Sequence, residues 1–288
     1  MSDHPWDDTR LEALGDGRYR AVVSDRWVLA LACQGGLLAA LAARAGTAEL
    51  GPDQPLRSIH GVFARPVAAG PLEISVEVVR RGRSMSQVRA SVAPEGGEVG
   101  FEALAVFGVA RPKGFSFTEL TVPEVPDPDG CPSFRDPPPP EAGVDWDGPL
   151  PFWRDVLDGR AARGTPPWID GPEGPAEVVD WFRFEAGDPI GPDGRLDPLA
   201  LLVMADVMPG AVFQGQPRRT ERIFAPSVDL GVQLFGSATP GWILAHARAH
   251  HAGDGYASAE MALWDPRAEG GPSLVAWASQ QMFFTSMG

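Results

Sequence analysis

Two kinds of apolar pattern alternate along this chain. Residues 33–46, CQGGLLAALAARAG, are apolar on most faces, which predicts a buried helix stopping near Gly46. Four segments follow: RSIHGVFARP (57–66), PLEISVEVVRRG (71–82), SMSQVRASVAP (84–94) and EVGFEALAVFGV (98–109). They alternate or run β-rich and are broken by Gly or Pro, as consecutive antiparallel strands should be. The order then recurs. EVVDWFRFE (177–185) reads as a strand and LDPLALLVMADVMPG (196–210) as a helix. Asp197 suits its N-cap and Pro198 its first helical position. The segments 222–236, 241–253, 255–265 and 273–284 complete a second set of strands.

The middle of the chain differs from both ends. PDPDG and DPPPP exclude regular helix or central strand, so residues 113–173 read as a Pro/Gly-rich linker between units 1–112 and 174–288. Within it, 151–161 predicts a short helix docking through Phe152, Trp153 and Val156. The two units align at an offset of about 172 residues, placing Leu72 on Leu244 and Ser86 on Ser258. Identity between them is weak, so the repeat rests on element order. A helix apolar nearly all round must be embraced by its sheet. The fold class is α+β; two unrelated α+β domains are the alternative.

Composition narrows the partners. Lys and Arg total 24 against 38 Asp and Glu, a formal net charge of −14. Such a surface repels nucleic acid and anionic membranes. The start is polar and acidic, unlike a signal peptide, and no apolar run reaches the roughly 18 residues of a membrane span. Two cysteines far apart make neither a disulfide framework nor a zinc site. These features predict a soluble protein of the reducing cytoplasm.

Asp206 interrupts the apolar run LLVMADVMPGAVF near the end of its helix. A helix C-terminus disfavours negative charge by about 0.3–1 kcal/mol, and burial adds desolvation. Both would raise its pKa toward that of a general base; alternatively, the turn meets solvent and Asp206 is simply hydrated. In PSVDLGVQLF, period two puts Val228, Leu230, Val232 and Leu234 on one face, and Ser227, Asp229, Gly231 and Gln233 on the other. Gln280 shares a face with Ala276, Ala278 and Met282. His246 and His250 lie about 13 Å apart along a strand with no third ligand, a weak metal pattern. The chain has no GxSxG elbow, phosphate loop or dinucleotide fingerprint, and no cofactor is implied. Cys33 is too apolar in setting to serve as a nucleophile.

Several of these segments carry a family resemblance: QGGLLAALAARA, SIHGVFARP, RRGRSMSQVRASV, LLVMADVMPGAVF, the run from PSVDLGVQLF to MALWD, and LVAWASQQ. Together they resemble the acyl-CoA thioesterase II family. The resemblance implies a double hotdog, two long helices each wrapped by a curved antiparallel sheet. It also implies an acyl-CoA substrate, and a water held by Asp206, Ser227 and Gln280. Ser227 stands where the best-studied members have Thr; it keeps the hydroxyl but is freer at χ1. Asp206 would take the water's proton, with backbone N–H groups of Gly35 and Gly36 as oxyanion donors. His60 lies on a strand where members often carry His, to line the site or to serve the sheet. Arg218, Arg219 and Arg222, or else Arg81 and Arg83, would meet the phosphates. Fold analogy predicts a homodimer. A non-hydrolytic hotdog role, as acyl-thioester dehydratase, hydratase or acyl binder, is the alternative.

Overall fold

The computed structural model describes residues 4–29, 31–111, 113–138, 146–165, 174–215 and 223–286. Twelve strands form one antiparallel sheet. They are β1 (Glu12–Gly15), β2 (Arg18–Val23), β3 (Leu56–Phe63), β4 (Gly70–Arg80), β5 (Met85–Pro94), β6 (Phe101–Gly108), β7 (Leu157–Arg163), β8 (Glu177–Phe184), β9 (Asp229–Leu234), β10 (Ile243–Gly253), β11 (Tyr256–Asp265) and β12 (Ser273–Phe283). Their spatial order is β1-β2-β4-β5-β6-β3-β9-β12-β11-β10-β8-β7. The second half therefore repeats the first in mirror order, and the two half-sheets join where β3 pairs with β9, Gly231 opposite His60.

The repeat is one of elements, and side-chain faces correct its register. Leu72 belongs to the main core, whereas Leu244 lies in a separate cluster on the opposite face. Aligning the strand starts, Gly70 with Ile243, places Leu72 on Ala245. Aligning Met85 with Tyr256 places buried Ser86 on buried Ala257, not Ser258. A slip of one residue exchanges the faces of a strand.

The helices also depart from expectation. Helix α1 (Gly35–Leu50) runs through Gly46 and ends at Gly51, whose φ of +91° suits glycine. Gly46 is a packing position: a Cβ there would lie 2.8 Å from the Phe107 ring. The second long helix is two short ones, α2 (Ala200–Ala205) and α3 (Pro209–Gln214). Pro209 has no N–H to give Ala205, and its ring crowds that carbonyl, so the helix breaks before it. Asp197 still caps, its Oδ1 accepting the Leu199 N–H at 3.0 Å, although regular helix begins only at Ala200.

Large and small side chains are mixed in both halves. Helix α1 buries Leu37, Leu38 and Leu41 beside Ala39, Ala40, Ala42, Ala43 and Ala45, in contact with strands bearing Leu72, Ile74, Val88, Phe101 and Phe107. Helix α2 buries Leu201, Leu202, Val203 and Met204, and the strands of its half bury Ile243, Met261 and Met282 beside Ala245, Ala247, Ala259, Ala276 and Ala278. Large beside small keeps each layer close-packed.

The middle of the chain is more than a connection. Strand β7 lies inside the stretch read as linker and forms an edge of the sheet. The helix predicted over 151–161 is one π-helical turn, Phe152–Val156, followed directly by β7; Phe152, Trp153 and Val156 are buried as expected. Val122, Val125 and Cys131 cover the outer face of the second half at Trp181, Leu244 and Trp264, and Trp181 Nε1 donates to Pro126 O (3.0 Å). No helix among the described residues is long and apolar enough to cross a membrane.

Gly46→Ala tests the close helix–sheet packing. Intrinsic propensity favours Ala by up to about 1 kcal/mol, but overpacking costs about 1–3 kcal/mol. The variant is expected to unfold at lower urea concentration with an unchanged slope; equal or greater stability would contradict the contact.

Candidate active site

The break in the second helix determines where Asp206 points. Asp206 is the C-cap of α2, with φ −91° and ψ 32°, and leaves the helical path there. Its side chain meets the first turn of α1, where the Gly36 N–H donates to Oδ2 at 3.0 Å. The Gly35 N–H also bonds it. A carboxylate at a helix N-terminus is stabilised by the unpaired N–H groups and the dipole. Gly36 makes the approach possible: a Cβ there would fall 2.2 Å from Leu202 O.

Two side chains from the second half complete the group. Gln280 on β12 donates through Nε2 to Asp206 Oδ1 (2.5 Å) and to Ser227 Oγ (2.7 Å). Gln280 is buried on the face with Ala276, Ala278 and Met282, as its spacing predicts. Ser227 corrects the sequence reading, which put it on the opposite face from Leu230. Gly231 pairs with Ser279, but Ser227 pairs with Met282, so four steps on one strand face three on the other. This extra residue is a β-bulge, and it turns Ser227 inward. Asp229 Oδ1 accepts the Gln281 N–H (2.7 Å) beside the bulge.

Burial dominates the electrostatics. Asp206 is 7% exposed, and desolvation raises its pKa to about 6 against the opposing pull of Gly36, Gln280, Gly35 and Ser227. Ionising it in place is thus roughly 3 kcal/mol costlier than in water. Other buried carboxylates are held differently. Asp158 pairs with Arg160 and Arg183, and Asp265 accepts the Thr239 and Arg267 N–H groups. Asp180 makes no hydrogen bond or ion pair among the described residues, and burial pushes it well above the usual carboxylate range. Only Asp206, among the described buried carboxylates, joins a helix N-terminus to polar side chains of other elements. Gln280 Oε1 is buried without a hydrogen-bond partner among the described residues, which leaves an acceptor at the site.

The remaining sequence candidates lie elsewhere. His60 is exposed on the outer face, since Ile59 and Gly61 beside it point inward; it packs over Gly231 and does not reach Asp206. Arg218, Arg219 and Arg222 lie outside the described residues. Arg81 donates to Glu49 O (2.7 Å) at the end of α1, a capping role. Burial pushes the Cys33 thiol up to about 12, unsuited to a nucleophile at neutral pH. His246 and His250 each face a carboxylate, Glu177 and Glu260, both at 3.1 Å. Sequence reading did not give the Gln34 side chain a role. It is 2% exposed, accepts the Leu37 N–H and donates to Val203 O, both at 2.9 Å. A polar residue directly before an apolar helix was its only signal.

Two helix-bearing half-sheets are thus joined edge to edge, with a buried carboxylate between their helices. Residues 23–108 match the acyl-CoA thioesterase N-terminal domain and residues 128–284 the acyl-CoA thioesterase C-terminal domain. The chain belongs to the acyl-CoA thioesterase family. Among solved structures it is similar to a hot dog fold protein of unknown function from Alicyclobacillus acidocaldarius (23% identity, TM-score 0.78, 97% of each chain). It is also similar to acyl-CoA thioesterase II TesB2 from Mycobacterium marinum (24%, 0.74, 98% of each) and to a tesB protein from Mycobacterium avium subs paratuberculosis (20%, 0.70, 96% of each). No curated protein sequence matches the chain.

Gly36→Ala is the sharpest test of the helix contact. Its methyl cannot fit against Leu202 O, so the helix ends must part. A melting temperature several degrees lower is expected, consistent with about 1–3 kcal/mol of overpacking; an unchanged melting temperature would refute the contact.

Proposed function

We propose that the protein hydrolyses acyl-CoA thioesters, with Asp206 as general base. The carrying observation is the buried carboxylate that Gln280 and the first turn of α1 hold, in a chain of the acyl-CoA thioesterase family. Asp206 takes a proton from water as the water oxygen attacks the thioester carbon. Ser227 and the free Gln280 Oε1 orient that water. The carbonyl π pair moves onto oxygen, giving a tetrahedral oxyanion. Collapse reforms the C=O bond and breaks the C–S bond; the thiolate takes the proton back from Asp206, leaving carboxylic acid and thiol.

The helix N-terminus changes role in this scheme. The Gly36 N–H, expected to serve an oxyanion directly, is bonded to Asp206 in the resting site. As Asp206 gains the proton, negative charge moves from its carboxylate to the carbonyl oxygen. Asp206 becomes a weaker acceptor, and the N–H groups of Gly35 and Gly36 can follow the charge. The hydratase alternative has less support: hotdog hydratases pair Asp with His, and no histidine among the described residues contacts Asp206.

Thiol release from short, medium and long acyl-CoAs tests the reading. Asp206→Asn is expected to lose at least 100-fold in kcat, while full turnover in that variant would end the base assignment. The same variant has a stability signature. The folded state raises the Asp206 pKa to about 6, so the fold favours the neutral form. That preference is fully present below the ordinary carboxylate pKa and is lost as pH rises through about 6. Asp206→Asn is therefore expected to melt at or above the wild-type temperature at pH 8 and to lose the advantage at pH 4. A calorimetric series showing the reverse trend would contradict the buried, costly charge.

A further inference from the structure

We propose that Gln34 is the positioning residue of this site: its side-chain amide locks the first turn of α1 to the last turn of α2 and thereby holds the Gly36 N–H on Asp206. The inference rests on the Asp206 reading and gives that site a structural control.

The bonds form a closed circuit across the two halves. Gln34 is the N-cap of α1, and its Oε1 accepts the Leu37 N–H of its own helix (2.9 Å). Its Nε2 reaches the other helix and donates to Val203 O (2.9 Å). The same Val203 carbonyl accepts the Asp206 N–H at 3.3 Å, closing the turn from which Asp206 departs. Asp206 Oδ2 then returns to α1 through the Gly36 N–H (3.0 Å). The Gln34 backbone is itself fixed, its N–H donating to Trp27 O (2.9 Å), and Trp27 is fully buried.

Capping alone does not require glutamine, because Asn, Asp, Ser and Thr are the preferred N-caps. What glutamine adds is length and a second hydrogen-bonding group, and both are used on the opposite helix. Without the Nε2 bond, Val203 O is left with a single weak donor, and among the described residues the two packed helix ends are hydrogen-bonded only through the active carboxylate. Gln34 then acts on chemistry through Asp206. The groups facing that carboxylate are Gly35 and Gly36 from α1, Gln280 from β12 and Ser227 beside the bulge, and no ion pair to it occurs among the described residues.

Gln34→Asn separates capping from cross-linking. Asn can cap Leu37 but is one methylene too short for Val203 O. In Gln34→Asn, kcat is expected to fall about tenfold with KM within twofold, and the acid limb of the pH–rate profile is expected to move upward. Gln34→Ala should show the same changes together with lost stability. A wild-type kcat and acid limb in Gln34→Asn would make Gln34 a simple cap and overturn the proposal. A second readout does not depend on turnover: the pH at which wild type loses stability relative to Asp206→Asn reports the Asp206 proton affinity. That pH should rise in the Gln34→Asn background. An unmoved pH there overturns the proposal even if no acyl-CoA is hydrolysed, and a moved one upholds it even if the thioesterase reading fails.

Discussion

The structure depends on one close approach, that of the N-terminus of α1 to the C-terminus of α2. Gly36 lets the backbones meet, since any side chain there would strike Leu202 O. The contact places unpaired N–H groups of one helix beside the residue that ends the other. A carboxylate at that residue is favoured by the α1 terminus and disfavoured by burial and by its own helix end. The balance is a carboxylate whose pKa is raised to about 6, as the proposed base acting on water requires.

The surrounding architecture serves that contact. Joining the half-sheets at β3 and β9 brings the two helices together from opposite halves. Mixed large and small buried side chains fill the helix–sheet layer of both halves. Pro209 breaks the second helix and frees Asp206 to turn toward α1. The bulge before β9 turns Ser227 to the same side as Gln280. The proline break and the bulge are local irregularities, and each acts within a few residues of the site.

Much of this was legible in the chain. The embraced helix, the nine strands read after it and their repeat followed from pattern, and the polar trio Asp206, Ser227 and Gln280 from resemblance. What was missed has physical causes. Tyr19, Ala21 and Val23 alternate in β2, but charged neighbours hid the strand. Gly46 looked like a stop because the Phe107 ring that needs its space is distant in sequence. The face of Ser227 depended on a bulge, which strict period-two counting cannot contain. His60 was drawn to the site by resemblance, but the inward-facing Ile59 and Gly61 commit it to the outside. The reach of Gln34 to Val203 spans the two halves and has no local signature.

Asp206, tuned by burial, is the proposed proton acceptor. The pH dependence of kcat/KM for acyl-CoA hydrolysis tests that role directly. Activity should require ionised Asp206, rising with pH through an apparent pKa of about 6 and levelling above it. A profile that stays flat down to about pH 4, where an ordinary aspartate titrates, would contradict that role.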